Sequence, residues 1–251
     1  MLDTLALPAD HFFWLILICF AAGMVRGFSG FALSAVVMAI AVMFLAPIAL
    51  IPILWFQEMT ASLLMVRGGI KDANRRVVTG LVLGSAFGLP LGLSLTQALP
   101  VETSKLVALS VIVVLAATQL AKLRLPVLAT RPGLWGSGIL AGIVTGLAGV
   151  GGMVVALYVL ASNAPAREMR ASLVMFLFAS SVISLATLTY FGAMNTQSAL
   201  RGLALAPASA LGVMAGKTLF RPNWEPYYKP FCLCLLITLA TIGILRQGIG
   251  A

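Results

Sequence analysis

The sequence predicts an all-α integral membrane protein of about ten hydrophobic segments, arranged as two inverted repeats of five segments each, with broken or re-entrant helices at glycine-rich motifs. Three observations predict this fold: the composition, the spacing of the apolar runs and an internal repeat. Of the 251 residues, 61% are hydrophobic and 9% are charged, whereas roughly a quarter of a soluble domain is charged. The mean hydropathy is +1.08. A chain this apolar excludes an intrinsically disordered protein, and its three cysteines exclude a disulfide scaffold.

Ten apolar segments are separated by charged residues or by breaks that proline and glycine mark. A helix needs about 20 residues to cross the hydrocarbon core of a membrane. Six or seven segments are long enough, and we expect the first, sixth and seventh to be too short. The first segment is interpreted as a membrane segment because the eleven residues before it hold no Lys or Arg, which a signal peptide requires. The segments lie at about 12–25, 28–46, 48–66, 77–96, 104–121, 134–148, 150–161, 171–191, 199–216 and 230–246.

The positive charges indicate how the chain is oriented. With the N-terminus outside, twelve Lys and Arg residues lie on the inner side and three on the outer side, as positive-inside topology requires. An even number of segments places both termini outside. The net charge of +9 then reflects anchoring at the cytoplasmic surface, and no nucleic-acid partner is expected. The inner set is Arg67, Lys71, Arg75, Arg76, Lys122, Arg124, Arg131, Arg167, Arg170, Lys217, Arg221 and Lys229, and the outer set is Lys105, Arg201 and Arg246.

The two halves of the chain repeat. Residues Ala22–Gly30 match Ala141–Gly149 at five of nine positions, with an offset of 119 residues. Because each repeat holds an odd number of segments, the second enters the membrane from the opposite face, an architecture found in transporters. The predicted division is residues 1–121 for the first repeat, 122–133 for a cytoplasmic linker and 134–251 for the second repeat. Further matches are Pro47 with Pro165, Met59–Leu63 with Met169–Leu173, Gly88 and Gly92 with Gly212 and Gly216, and Pro100 with Pro222.

The glycine-rich breaks after the first and sixth segments form the candidate site. Short, glycine-interrupted segments at matching positions of two halves point to a transport site, and we expect both breaks to approach the membrane midplane. The helices that begin at the breaks would direct their N-termini at the site, which favours an anion. Arg26 adds a planar cation with several donors. The candidate binding residues are Arg26, Gly27, Ser29 and Gly30 at the first break and Thr145, Gly146, Gly149, Gly151 and Gly152 at the second.

Each of these features also has a structural explanation. Gly-x3-Gly spacings often mark close helix packing in membranes, and packing is the favoured interpretation for Gly88, Gly92, Gly212 and Gly216. Arg26 could be an arginine of an inner loop if the first segment crosses fully. The hydroxyls of the eighth segment are expected to bond to their own helix backbone rather than to substrate. They belong to Ser172, Ser180, Ser181, Ser184 and Thr187.

Glu58 is the one acidic residue within the ten segments, and Gln57 precedes it. Ionisable groups at membrane depth are costly and indicate function. Glu58 could carry a coupling proton, or it could pair with a cytoplasmic arginine or with Arg26; both interpretations stay open.

The paired Ala-Gly-x-x-x-Gly-x-x-Gly breaks, with the runs Arg26–Phe31 and Gly146–Gly152, resemble the sulfite exporter (TauE/SafE) family of membrane permeases. The resemblance covers both halves of the chain. It implies transport of a small sulfur-containing anion, such as sulfite or an organosulfonate, across a bacterial inner membrane, with no cofactor or metal. Many relatives carry three successive glycines and a proline soon after each break, and this chain carries neither.

Other classes of protein were weighed. Gly27–Gly30 fits the Gly-x-Ser-Gly motif of rhomboid-like proteases, but the single histidine, His11, precedes the first segment, whereas a serine nucleophile needs a base within hydrogen-bond reach. No enzyme activity is therefore expected. A passive anion channel and a carboxylate permease stay open as alternatives, and the sequence leaves the oligomeric state open.

Overall fold

The computed structural model describes residues 7–65, 72–123, 126–162, 165–219 and 225–249. Over these residues the chain is all-helical, which confirms the predicted fold class. The α-helices are α1 (Ala9–Ser29), α2 (Leu33–Ala41), α3 (Pro47–Met65), α4 (Arg75–Ala98), α5 (Val101–Leu120), α6 (Arg131–Ala148), α7 (Gly151–Ala161), α8 (Ala166–Tyr190), α9 (Thr196–Leu219) and α10 (Glu225–Ile249). A short 3-10 helix, Pro126–Ala129, precedes α6.

Seven of these helices are long and apolar enough to cross a membrane, namely α1, α3, α4, α5, α8, α9 and α10. The chain is therefore a multi-pass membrane protein. The remaining three are shorter or less apolar: α2 has nine residues, α7 has 11 and α6 has 18. The three lie at the two glycine-rich breaks.

Two predicted lengths are wrong. The first segment was expected to end before Arg26, yet α1 has 21 residues, about 30 Å of helix, and continues through Arg26 to Ser29. The second segment was expected at about 28–46, yet α2 is shorter because a break precedes it and a turn at residues 42–45 follows it. Because α1 is long enough for a full crossing, its break need not lie at the midplane.

The helices before the two breaks end in the same way. Gly30 adopts the left-handed conformation (φ 81°), and its N–H donates to the carbonyl of Arg26 at 2.9 Å. Gly149 repeats this cap with φ 70° and a 2.8 Å bond from its N–H to the carbonyl of Thr145. Glycine takes this conformation without a steric cost. The two caps are separated by the repeat offset of 119 residues.

The first helix of each half packs against the fourth helix of the other half, α1 on α9 and α6 on α4. A Cβ added to Gly88 would lie 2.0 Å from the carbonyl oxygen of Ile139, and one added to Gly212 would lie 2.1 Å from that of Phe20. Ile139 and Phe20 are themselves 119 residues apart. These backbone contacts agree with a packing role for these glycines.

The same reciprocity holds one helical turn further along each pair. A Cβ on Gly92 would meet the carbonyl oxygen of Ile143 at 2.1 Å, and one on Gly216 would meet that of Met24 at 2.2 Å. Met24 and Ile143 are again related by the offset. The repeat remains a prediction. These equivalent contacts in the two halves support it more strongly than the identical residues in the sequence do.

Two of the other matches fare differently. Pro47 is the first residue of α3 and Pro165 is the N-cap of α8, so this pair occupies equivalent positions. Met59–Leu63 lies in the last half of α3, whereas Met169–Leu173 begins in the first turn of α8, so the likeness of these two stretches does not reflect equivalent positions. Pro222 lies outside the described residues.

Several basic residues lie at the ends of long helices. Arg75, Arg76 and Arg131 begin α4 and α6, Lys122 follows α5, and Lys217 lies in the last turn of α9. Arg67, Lys71, Arg124 and Arg221 lie outside the described residues.

Candidate functional site

Both glycine-rich breaks open into one cavity, whose remaining walls come mainly from α3 and α8. Its volume is about 710 Å³, including its open side. The second break contributes a continuous stretch, Gly149–Met153, together with Thr145, and the first half contributes Arg26. Residues that are 119 positions apart in the chain therefore meet at one site.

Arg26 supplies a buried cation. It lies in the last turn of α1 and its residue is 1% exposed, so it is not an arginine of a surface loop. Its Nη2 lies 3.4 Å from Oε2 of Glu58 and donates to Oγ of Ser62 at 3.5 Å. Within the described part of the chain, its Nε has no hydrogen-bond partner. Among the described residues, Oε2 of Glu58 also lacks a hydrogen-bond partner; buried polar groups are normally paired, so this ion pair leaves hydrogen-bonding capacity unused on both sides.

Glu58 joins α3 to the first break. Its Oε1 accepts from the backbone N–H of Ser34 at 3.2 Å and from the hydroxyl of Ser34 at 2.5 Å. Because Ser34 lies in the first turn of α2, the carboxylate caps the positive end of that helix. Of the pairings considered for Glu58, the one with Arg26 is present. The helix N-terminus expected to bind a substrate anion in the first half thus already holds a carboxylate of the protein.

Among the described residues, no carboxylate occupies the second break in this way. The N-cap residue of α7 is Val150, which makes no side-chain cap, and the first turn of the helix lines the cavity through Gly151 and Gly152. N–H groups at the start of a helix favour an anion. The hydroxyl of Thr145 also lines the cavity, but it donates to the carbonyl of Ala141 at 2.7 Å.

Four candidate binding residues lie outside the cavity wall and have packing or capping roles. A Cβ on Gly27 would lie 2.5 Å from the carbonyl of Val213, and one on Gly146 would lie 2.3 Å from the N atom of Leu93. Ser29 donates to its own helix, at the carbonyl of Val25, and Gly30 caps α1. Gly27 and Gly146 therefore hold the breaks against neighbouring helices. The sequence pattern alone does not distinguish these packing glycines from glycines that line the cavity.

Gln57 does not line the cavity either. Its Nε2 donates to the carbonyl of Gly202 at 3.0 Å, and its Oε1 accepts from the hydroxyl of Ser209 at 2.6 Å. Gln57 thereby ties α3 to α9.

The hydroxyls of α8 behave largely as expected. Ser180 and Ser181 donate to the carbonyl of Leu177, and Thr187 donates to that of Ile183. Ser180 and Ser181 nevertheless line the cavity, with Ser184. Ser172 instead accepts from the N–H of Asn74.

Sequence reasoning missed several wall residues. Trp55 lines the cavity and donates its indole N–H to the carbonyl of Ser181 at 2.7 Å, which fixes α3 against α8. Phe176 is fully buried at the same wall. Ser34 could have been anticipated, since a hydroxyl in the first turn after a break suits a carboxylate partner.

The fold and the site together define a small multi-pass membrane protein with a cavity at two glycine-rich helix breaks, lined by a buried arginine–glutamate ion pair. The pattern that defines the Sulfite exporter TauE/SafE family matches residues 15–242, so this chain belongs to that family. The family is one of membrane transporters of sulfur-containing anions, which fits a protein that is not an enzyme. No curated protein and no solved structure matches the chain.

Proposed function

We propose that this protein is a secondary transporter that moves sulfite or a small organosulfonate across the bacterial inner membrane by alternating access. The observation that carries the proposal is the buried guanidinium of Arg26, whose Nε has no hydrogen-bond partner among the described residues, at a cavity that the first turn of α7 also lines. The ion pair of Arg26 with Glu58 and the N–H groups at the start of α7 thus meet at one space.

The anion binds between Arg26 and the N–H groups of Gly151 and Gly152. A sulfonate or sulfite has three oxygens on one sulfur, so it can accept from the arginine fork and from backbone donors at the same time. Charged hydrogen bonds of this kind contribute about 1.5–3 kcal/mol each, and a planar fork adds geometric selection. The glycines allow the substrate to approach the backbone closely.

Helix packing indicates which parts move in alternating access. The contacts of Gly212 and Gly216 with the backbone of α1 tie this helix to α9, and the contacts of Gly88 and Gly92 tie α6 to α4. The moving bodies are therefore cross-repeat helix pairs rather than whole repeats. Residues 1–121 and 134–251 remain the proposed repeats, with 122–133 as the linker.

Glu58 is the proposed carrier of a coupling proton. Its carboxylate competes with the substrate for Arg26, and protonation removes its charge without displacing Ser34, whose hydroxyl can turn to accept from the acid. Among the described residues, Arg26 is the charged group that faces it. Proton uptake at Glu58 then favours anion binding at Arg26. The proton and the anion would therefore cross the membrane in the same direction.

One observation favours a second substrate class. Glu58 shows that a carboxylate fits against Arg26 and a helix N-terminus, so an organic carboxylate is the alternative substrate. Thermal-shift screening of the purified protein with sulfite, sulfate, thiosulfate, sulfoacetate, aromatic sulfonates and short carboxylates separates the two. We expect a sulfur oxyanion to raise the melting temperature most; a larger rise with carboxylates and none with sulfur oxyanions contradicts the proposal.

A passive anion channel is the remaining alternative. Flux in liposomes distinguishes it, because a carrier saturates with substrate and is stimulated by substrate on the opposite side. Flux that stays linear and shows no counterflow would indicate a channel.

The proposed orientation places both termini outside. In a cysteine-free background, Lys122→Cys should resist an impermeant thiol reagent added from the periplasm, and Arg246→Cys should react with it. The opposite labelling pattern would reverse the orientation.

A further inference from the structure

Three arginines lie together at the N-terminal ends of α4 and α6. Arg75 and Arg76 begin α4, and Arg131 begins α6. All three are exposed. Among the residues that the structure describes, none of them forms an ion pair. The cluster is therefore an uncompensated positive charge where two closely packed helices begin.

A trough runs from these arginines between the two helices. Its volume is about 880 Å³, including its open side, and its remaining walls are mostly apolar, with Leu83, Leu134 and Trp135 beside the polar Thr79. Leu83 and Trp135 are each 45% exposed. The floor is Gly80, where an added Cβ would lie 2.8 Å from a methyl carbon of Leu134. The trough thus has a cationic mouth and an apolar body.

We propose that this trough binds an anionic phospholipid. The phosphate lies among Arg75, Arg76 and Arg131, and an acyl chain lies along Leu83 and Trp135. The two helix N-termini are capped by Asn74 and Thr130, so the arginines supply the positive charge. Basic pockets between membrane helices suit such headgroups, and tryptophan favours the membrane interface. A free phosphate would use the mouth and leave the exposed apolar walls uncovered.

Two features further define the ligand. Three guanidiniums exceed what a single phosphate monoanion neutralises, so a lipid with two phosphates, such as cardiolipin, fits best. The trough shares no lining residue with the substrate cavity, so the inference does not depend on the proposed transport activity.

The test uses the full chain purified in detergent, with cardiolipin as the probe and phosphatidylethanolamine, which is zwitterionic and has no net charge, as the comparison. Cardiolipin should raise the melting temperature and stay bound in native mass spectrometry, and phosphatidylethanolamine should do neither. Arg75→Gln/Arg131→Gln should weaken cardiolipin binding at least tenfold, because it removes two of the three charges that face the headgroup. Lys122→Gln/Arg246→Gln removes the same charge elsewhere and should bind like the parent.

The melting temperatures of the two double variants are first compared without lipid. This comparison distinguishes a loss of folding from a loss of lipid binding. If the arginine variant unfolds, Arg76→Gln alone should still weaken binding several-fold. Equal loss in both double variants means non-specific charge attraction and overturns the proposal. An equal shift with glycerol phosphate at the same phosphate concentration means a site for free anions and overturns the lipid assignment.

Discussion

The two glycine-rich breaks have the same backbone arrangement, but different groups lie at the start of the helix that follows each break. Each follows a helix that ends at a left-handed glycine, Gly30 or Gly149, and each precedes a short helix of nine or 11 residues. At the first break, the start of α2 is occupied by the Glu58 carboxylate. At the second, the start of α7 has no side-chain cap and faces the cavity.

Under the proposed function, this difference divides the work of binding between the two breaks. The first break would supply charge, through the pair of Arg26 with Glu58, and the second an open helix N-terminus. A symmetric pair of anion sites, which the repeat alone suggests, is thus replaced by one cavity with unequal walls. Substitutions at one break or the other test this difference.

The largest effect is expected from Arg26→Ala. It removes the buried cation, so the affinity for sulfite, used as the probe in titration calorimetry, should fall at least tenfold; one decade equals about 1.4 kcal/mol. Arg26→Lys restores the charge without the planar fork and should recover part of the loss. The exposed Arg246→Ala is the control and should bind like the parent. Unchanged affinity in Arg26→Ala would remove the first break from the site.

Glu58→Gln should have an effect of opposite sign on binding. The amide keeps a carbonyl oxygen for Ser34 but carries no charge to compete for Arg26, so sulfite should bind about threefold to tenfold more tightly, or about 0.7–1.4 kcal/mol. Transport driven by a pH gradient should be abolished in proteoliposomes, while substrate exchange persists. Loss of exchange along with uptake would instead assign Glu58 a structural role.

Gly152→Ala tests the second break, where the start of α7 faces the cavity. Its Cβ would lie 3.0 Å from Cδ2 of Leu177, a flexible side chain, so the protein should fold while the start of α7 becomes less accessible; affinity should fall about twofold to threefold. Gly136→Ala, where an added Cβ meets nothing within 4 Å, is the matched control. Equal affinity in the two variants would argue against binding at the start of α7.

Larger substitutions at the second break are less informative. A Cβ on Gly151 would lie 2.1 Å from Oγ1 of Thr145, and Gly149 has a positive φ of 70°. Valine at either position should therefore disrupt the turn between α6 and α7 as well as the site.

The smallest effect concerns the backbone of the first break. Ala32 adopts φ 74°, a conformation that costs a non-glycine residue about 1–2 kcal/mol. Ala32→Gly should stabilise the protein by up to about 1 kcal/mol after the greater chain entropy of glycine is counted. Ala35→Gly, one turn into α2, should destabilise it by about 0.5–1 kcal/mol. Both changes in stability are measured by thermal unfolding. Destabilisation by Ala32→Gly would contradict the claim that the backbone of Ala32 is strained.

Much of the fold follows from the sequence because hydropathy and glycine spacing are local signals. The ten segments and the packing role of Gly88, Gly92, Gly212 and Gly216 were predictable in this way. The lengths of α1 and α2 were not. An arginine normally marks the end of an apolar segment, and nothing near Arg26 in the chain indicates that Glu58 lets it stay buried within a helix.

The site was predictable in part. Arg26, Thr145, Gly149, Gly151 and Gly152 line one cavity, and the matching glycine motifs of the two halves were the signal that pointed to them. Gly27 and Gly146 have the same local pattern yet pack against other helices, a distinction that requires knowing which helices are neighbours. The contributions of Trp55 and Phe176 depend on the same information, since each lies in a helix that shows no motif.

The central claim is that Arg26 binds the transported anion rather than merely neutralising Glu58. Sulfite affinity measured for the parent, Arg26→Ala, Glu58→Gln and the double variant tests this directly, because the double variant leaves no unpaired charge at this position. The account predicts that the double variant binds at least tenfold more weakly than Glu58→Gln alone. Equal affinity of the double variant and Glu58→Gln would show that Arg26 serves the buried carboxylate and not the substrate.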